Sequence, residues 1–527
     1  MKTHENQPVD LDHLNLASEV KTEVSNLIQS LLVQAQNEIK LLEAKNQALV
    51  LELAHLRRIR YGVKNEALSS GQLSLFEEDR QTDMAAIEAE IEQLPSISPQ
   101  KKPKRERAGR QPLPDHLPRI EHRHEPQSCQ CQQCGSNLVK IGEDVTEQLD
   151  VEPAKFFVHR HIRPQFACRT CETVVAEPVP PAVIDGGMAA PGLLAWIAIA
   201  KYLDHLPLYR IAQIAAREGV TLSLSTLAEW IGRIGVALQP LVDRLIWHLR
   251  QGRVLHADET PVAQLDPGNG KTQRAYLWAY RSNDFELGPR IIVFDYKTSR
   301  SGKYVRDFLN GWQGHLVVDD YAGYKPLFTL VGNCTELGCW AHARRKFFEL
   351  HQANGSTVAH EILQRIGALY AIEAEGTNLT IEARQMLRAE KSQPILQSLY
   401  NRLQQIRTQT ADGGGTAKAI DYTLKRWPSL IRYAETGHLP IDNNAVENAI
   451  RPIALGKKNW LFAGSERAGI RAAAIQSLLG TAKLNGLNPA QWLADTLEKL
   501  PTWPYSRIDE LLPFAPEDIE ALLNERE

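Results

Sequence analysis

Three short acidic stretches in this sequence carry residue types suited to phosphodiester chemistry. The first is Val254-Leu-His-Ala-Asp-Glu-Thr-Pro-Val262, an apolar run that follows a basic turn, reads as a short buried strand and stops at Thr260-Pro261. A carboxylate inside such a strand is costly to bury unless it is paired or holds a metal, so Asp258 is a candidate ligand; a plain strand-end acid is the alternative. The second stretch, Gly314-His-Leu-Val-Val-Asp-Asp-Tyr-Ala-Gly-Tyr324, places Asp319 and Asp320 at the C-terminal end of a strand built on Leu316, Val317 and Val318. The third, Leu439-Pro-Ile-Asp-Asn-Asn-Ala-Val-Glu-Asn-Ala-Ile-Arg-Pro452, places Glu447 in a helix capped by Asp442 or Asn443 and ended by Pro452. One carboxylate on each of two strands and one on a later helix can hold two divalent cations. Two such cations about 3.5–4 Å apart activate a water and stabilise a leaving oxygen. Mg²⁺ (or Mn²⁺) suits a site of hard oxygen ligands.

A second set of residues has metal-ligand spacing. Cys131-Gln-Gln-Cys134 and Cys168-Arg-Thr-Cys171 are two knuckles, and four thiolates from two knuckles hold a tetrahedral Zn²⁺. Between them, 150–157 and 158–166 alternate like two strands, which makes the 119–180 region a zinc ribbon. Cys129 leaves a choice of ligand, although Cys131 has the better spacing. His122 and His124 read as surface residues, and buried free thiols are the alternative for all four cysteines.

These groups need elements to position them. From residue 251, strands at 275–281 and 290–296 follow the Asp258 strand as an antiparallel meander, and a helix over 303–309 leads into the Asp319 strand. Residues 341–437 read as an all-α insertion, whose first helix carries Arg344, Arg345 and Lys346 as either a solvated cationic face or a grip on DNA. Core sequence resumes at 438–485 and ends in a tail at 486–527. Arg451 lies one helical turn beyond Glu447 on the same face. Lys457 and Lys458 are placed to neutralise phosphate, and Trp460 reads as core. Upstream, 186–250 is helical, with helix, glycine and capped helix in helix-turn-helix spacing; the alternatives are a groove-reading module and a supporting hairpin. Residues 61–118 form a linker containing Lys101, Lys102, Lys104 and Arg105, a basic tract able to lie along phosphates or simply to be solvated. Residues 17–60 carry a heptad stripe, with Asn46 on the seam, that reads as a self-associating coiled coil, and 1–16 are polar and loose.

Composition excludes several classes. The 527-residue chain is long enough for three or more domains, and it is 43% apolar and 23% charged. No apolar run is long enough for a membrane span, and the first residues lack the apolar core of a signal peptide, so a cytoplasmic protein is expected. The formal net charge of −3 means that any basic surface is local. Seven cysteines, most of them clustered, fit a reducing compartment and a metal site.

The blocks His256-Ala-Asp-Glu-Thr260, Asp319-Asp-Tyr-Ala-Gly-Tyr324, Cys339-Trp-Ala-His-Ala-Arg-Arg-Lys-Phe347 and Asp442-Asn-Asn-Ala-Val-Glu-Asn-Ala-Ile-Arg-Pro452 resemble the transposases of the insertion sequence 66 family, in order and over nearly the whole chain. The resemblance implies a multidomain α+β protein with an RNase H-like catalytic core and a DDE triad, onto which Asp258, Asp319 and Glu447 map. Where the family usually has a small residue after the second aspartate, this chain has Asp320. The resemblance also implies a zinc-binding domain at the cysteines and double-stranded DNA as substrate, at element ends and at a target. A homo-oligomer, for which a dimer is expected, would act at the nucleoid, with two small accessory proteins of the same element as possible partners. The expected function is cleavage at element ends and joining of the freed 3′-hydroxyl to target DNA. Two other classes stand beside it: a catalytically silent zinc-ribbon and helix-turn-helix regulator, and an RNase H-like structure-specific nuclease.

Overall fold

In the computed structural model, residues 117–124 and 136–518 are described, the latter apart from 153–154, 267–270 and 330–333, with further positions between 24 and 46 and at 113, 115, 130 and 133. The expected basic tract with Lys101, Lys102, Lys104 and Arg105 lies outside the described residues. So do most of the linker and part of the coiled-coil stretch. The seam positions Val24, Leu31, Ala35, Ile39, Leu42 and Asn46 are helical, and Leu31, Ile39 and Leu42 are exposed.

The first sheet contains β1 (Arg119–Arg123), β2 (Val139–Glu152), β3 (Lys155–Ala167) and β4 (Val174–Ala176). β2 and β3 form a long antiparallel hairpin, and β1 lies parallel to β3 on its other side. The expected strand boundary at 157/158 is therefore wrong. The chain reverses between Glu152 and Lys155, so Val158 to Phe166 is the interior of one strand. Alternation alone does not say where a long strand turns, and Pro153 is the better punctuation. His122 and His124 are not isolated surface residues. Each meets a β3 histidine, with His122 Nε2 2.7 Å from His159 Nδ1 and His124 Nε2 2.9 Å from His161 Nδ1.

Four helices follow: α1 (Pro191–Tyr202), α2 (Leu208–Arg217), α3 (Leu224–Ala237) and α4 (Gln239–Leu249). The break after α2 is made by Gly219 at φ +79°, a left-handed conformation that glycine adopts without strain. Ser223 is the cap of α3, its Oγ accepting the Thr226 amide at 3.0 Å. The helix-turn-helix spacing is present, but α3 buries eight of its fourteen residues, among them Leu227, Trp230, Ile231 and Ile234. The face it leaves to solvent carries Ser225, Thr226, Glu229 and Arg233, with Arg233 paired to Glu229.

The second sheet contains β5 (Val254–Asp266), β6 (Lys271–Ser282), β7 (Ile292–Lys297), β8 (Gly314–Val318) and β9 (Cys334–Gly338), in the order β7-β6-β5-β8-β9. The first three strands are antiparallel, and β5, β8 and β9 run parallel. α5 (Gly302–Phe308), capped by Ser301, joins β7 to β8, and α6 (Lys325–Thr329) precedes β9. β5 does not stop at Thr260-Pro261 as expected. β8 pairs only with Val254 to His256 and Ala463 bridges only to Gln264, so Pro261 lies in a stretch of β5 between these partners, where a residue lacking an N–H is tolerated. β9 had no sequence expectation. Its Cys-Thr-Glu-Leu-Gly is too short and mixed to register as periodic.

The insertion is helical as expected. It runs through α7 (Trp340–Asn354), α8 (Thr357–Glu375), α9 (Ile381–Leu387), a π-helical turn at Arg388–Ser392, α10 (Gln393–Thr408), α11 (Gly415–Lys425) and α12 (Trp427–Ile431). Its core, with Ile362, Leu399 and Leu403, is continuous with Val254, Val317 and Leu337 of the sheet. Then come α13 (Asn444–Trp460), α14 (Glu466–Leu484) and α15 (Pro489–Lys499). Pro452 does not end α13, which continues to Trp460. Proline forfeits one ladder bond and kinks a helix, but packing of Val446, Ile450 and Ile453 on the sheet holds both sides of it. Among the described residues no helix is long and apolar enough to cross a membrane.

α14 approaches β7 so closely that a Cβ on Gly469 would stand 2.4 Å from the Tyr296 ring. Gly469→Ala is therefore expected to overpack this contact and cost about 1–3 kcal/mol. A fall in melting temperature relative to wild type checks it.

Candidate active site

Strand register brings the first two acids together. His256 pairs with Val317 across parallel β5 and β8, so Asp258 and Asp319 lie two residues further along adjacent strands. Asp258 accepts the Glu259 amide at 2.9 Å, and Asp319 accepts the Tyr321 amide at 2.9 Å. Glu447 reaches the same place from the first turn of α13. Burial, then the negative charge of Glu259, with Asp319 and Glu447 adding to it, pushes the Asp258 carboxyl up to about 8. The three acids thus form one repulsive cluster.

Neighbouring acids are turned to other tasks. Glu259 is buried; its Oε1 takes a hydrogen bond from Arg300 Nε at 2.6 Å and its Oε2 one from Tyr324 Oη at 2.7 Å. Asp320 takes one from Arg426 Nη1 at 2.7 Å and sits 3.2 Å from Lys325 Nζ. Burial alone raises the Asp320 carboxyl, but Arg426 and Lys325 outweigh it and hold the group below the ordinary carboxylate range.

The Glu447 helix starts at Asn443, one of its two expected caps, and is fixed there by contacts that the sequence did not indicate. Asn443 is fully buried; its Nδ2 donates to the Ala257 carbonyl at 2.9 Å and its Oδ1 faces His256 Nδ1 at 3.0 Å. The neutral imidazole is the form that fits, since burial, with Arg281 adding to it, lowers His256 to about 4. The Asn443 amide donates to Cys339 Sγ at 3.2 Å. Asp442 supplies the side-chain turn at the helix start, accepting the Asn444 amide at 3.0 Å. His256 is two residues before Asp258 and so on the same strand face, but its partner Asn443 lies far away in sequence. Cys339 and His342 stand in the first turn of α7 and its cap, and their Sγ and imidazole lie with a Glu447 oxygen inside a 4.8 Å cluster.

The expected DNA-contact residues divide. Arg344 and Arg345 are exposed on α7, and Arg345 Nη2 lies 3.7 Å from Glu447 Oε2. Arg451 and Lys458 are exposed on α13. Lys457 is instead engaged with the protein, donating to the Pro261 carbonyl at 2.8 Å, and burial lowers its pKa. Trp460 is partly buried against the cluster that holds Val262 and Ile453. Of the expected zinc ligands, Cys168 is buried and Cys171 half-buried at the end of β3. Cys131 and Cys134 lie outside the described residues, as does Cys129.

The sheet thus carries paired acids on adjacent strand ends, with a third acid on a following helix and a cysteine-bearing hairpin upstream. Comparison with known families identifies the chain: the model described as "Transposase IS66 family" matches residues 186–471, more than half the chain, and the chain belongs to that family. The models "zinc-finger binding domain of transposase IS66", "IS66 C-terminal element" and "Transposase C of IS166 homeodomain" match residues 128–172, 477–514 and 48–121. Two similar proteins come from Sinorhizobium fredii (strain NBRC 101917 / NGR234). The uncharacterized protein y4qI is 36% identical, over 96% of this chain and 97% of its own length. The uncharacterized protein y4jD is 37% identical over 88% and 93%.

The raised Asp258 carboxyl sets a pH dependence. The folded chain holds a proton on Asp258 that the unfolded chain releases at ordinary carboxylate pH. Stability from this group is therefore full below about pH 4 and is lost as pH rises towards about 8. With a chelator present, Asp258→Asn is expected to melt above wild type near pH 8, and the gap should close towards about pH 4. Melting curves across that range check it.

Proposed function

We propose that this chain is the enzyme that cuts the ends of an insertion sequence and joins them to target DNA, using Asp258, Asp319 and Glu447 on an RNase H-like sheet. The supporting observation is the convergence of those carboxylates: burial and mutual repulsion raise Asp258 to about 8. The order β7-β6-β5-β8-β9, three strands antiparallel and then two parallel, is what an RNase H-like core requires.

The donor set fits hard divalent cations. Asp258 is strained by like charge, and Glu447 Oε1 is buried with no hydrogen bond. Asp258, Asp319 and Glu447 would hold two Mg²⁺ (or Mn²⁺) ions. When bound, such ions lower the pKa of water to make a nucleophile and neutralise charge on the leaving oxygen. The protein's own groups do the rest. The carboxylates fix the reacting centre against the ends of β5 and β8. Arg344, Arg345, Arg451 and Lys458 supply exposed positive charge for the DNA phosphates. Cleavage frees a 3′-hydroxyl, which the same site directs at a target phosphodiester. One P–O bond forms as another breaks, so joining needs no external energy source and no covalent enzyme intermediate. Asp320, tied to Arg426 and Lys325, stands apart from this chemistry.

Two further parts complete the reading. Cys131, Cys134, Cys168 and Cys171 hold one structural Zn²⁺, consistent with the zinc-finger match over 128–172. The helical stripe with exposed Leu31, Ile39 and Leu42 pairs two chains, which lets one assembly hold two element ends. The tract at Lys101, Lys102, Lys104 and Arg105 lies along DNA.

Asp258→Ala, Asp319→Ala and Glu447→Ala are each expected to abolish strand cleavage with Mg²⁺ or Mn²⁺ while retaining binding to end DNA in gel retardation. Asp320→Ala should keep cleavage and lower the melting temperature. Loss of cleavage in Asp320→Ala with full activity in Asp319→Ala reverses the assignment. For the stripe, each buried leucine contributes roughly 1.5–3 kcal/mol, enough that removing residues 1–60 should halve the solution mass. Light scattering measures this, and an unchanged mass excludes the stripe as the association element.

A further inference from the structure

Glu447 differs from the other two acids in what surrounds it. Its Oε1 faces His342 Nδ1 at 3.6 Å, too far for a hydrogen bond, and both atoms are buried without any hydrogen-bond partner. Buried polar atoms are rarely left this way, and two facing each other across such a gap call for something between them. Oε2, the other carboxylate oxygen, is opposed by the Arg345 guanidinium at 3.7 Å. Oε1 is therefore the oxygen left for a ligand. Cys339 belongs to the same cluster, but its sulfur already accepts the buried Asn443 amide at 3.2 Å, which ties it to the helix cap.

His342 is placed with the same care as Glu447. It lies in the first turn of α7, immediately after β9, which pairs with the Asp319 strand throughout its length. The Trp340 amide donates to the Ile441 carbonyl at 3.2 Å, joining the start of α7 to the segment that leads into α13. The two ends of the insertion thus meet at the site and bring an imidazole and a carboxylate into one gap.

We infer that His342 is a direct metal ligand, its Nδ1 sharing with Glu447 Oε1 one of the two divalent cations of the reaction. This rests on the proposed two-cation function. It changes the chemistry of one subsite from all-oxygen to mixed nitrogen and oxygen. Mg²⁺ prefers an all-oxygen shell, whereas a transition-metal divalent cation accepts imidazole readily. The Glu447 subsite should therefore favour Mn²⁺ over Mg²⁺, and the Asp258–Asp319 subsite should discriminate less.

The test is pulsed electron paramagnetic resonance of Mn²⁺ bound to the full-length protein, which detects nitrogen bonded directly to the ion. Wild type is expected to show ¹⁴N modulation that changes to the ¹⁵N pattern when histidine is ¹⁵N-labelled. His342→Gln, which offers oxygen in place of nitrogen, should lose the modulation and weaken Mn²⁺ binding about tenfold or more. Should that variant fail to fold, His342→Ala carries the same readout. Mn²⁺ bound in an Asp258-dependent manner without nitrogen modulation, or with modulation that survives loss of His342, overturns the assignment and leaves the proposed function standing. Absence of Asp258-dependent Mn²⁺ binding overturns both.

Discussion

Like charges held together out of water are the constraint on which this structure turns. Asp258, Asp319 and Glu447 come from three elements widely separated in sequence, and Asp258 is pushed up to about 8 by burial and by its acidic neighbours. Left to itself the chain would separate these groups or protonate them. The surrounding structure prevents the first, and the second is met in part by Asp258, which holds its proton up to about pH 8. β5 and β8 are locked by parallel ladder bonds beneath the acids, and α13 is locked by Asn443 to the Ala257 carbonyl and to His256. The stability surrendered at the cluster has to come from elsewhere, and two large apolar cores above and below the sheet supply it.

The helical insertion acts as a brace for the same cluster. Its apolar core runs into Val254, Val317 and Leu337 on three adjacent parallel strands. Arg426, buried at the end of α11, donates to the Val318 carbonyl at 3.3 Å and to Asp320 at 2.7 Å, and lies 3.0 Å from Glu336. An arginine in this position is strongly held, because removing any partner would leave a buried charge uncompensated. An insertion of nearly a hundred residues between the second acid and the third does not loosen the site. It supplies the scaffold from which Glu447 and His342 approach.

Much of this was legible from the sequence, and the part that was not has a physical reason. The three acids stood out because each ends or interrupts an apolar run, where a charge needs an explanation. The meander β5-β6-β7 followed from alternation and turn residues, and the family resemblance held across the chain. The errors fell where local pattern is silent and tertiary packing decides. Pro261 sits inside β5 because β8 pairs with only its first residues, and Pro452 sits inside α13 because the sheet packs on both sides of it. β9 is five residues of mixed polarity, a strand only because β8 offers it an edge. The His256–Asn443 clamp joins residues 187 positions apart, which no local period reports.

The chain carries two adjacent acids at each strand site, Asp258-Glu259 and Asp319-Asp320, and the surrounding charges sort each pair. Successive residues of a strand point to opposite faces, so Asp258 and Glu259 cannot serve the same site. Glu259 is met by Arg300 and Tyr324, and Asp258 is left with one backbone amide and the charges of Asp319 and Glu447. Asp320 is met by Arg426 and Lys325, and Asp319 accepts the Tyr321 amide. In each pair one acid is neutralised by fixed cations of the protein and anchors the strand end, while the other accepts a backbone amide. Had Arg426 stood beside Asp319, it would have competed with a divalent ion for the same oxygens. The placement of two arginines therefore decides which member of each acidic pair is left for the metal role proposed above, a distinction that the acids' own positions in the sequence do not draw.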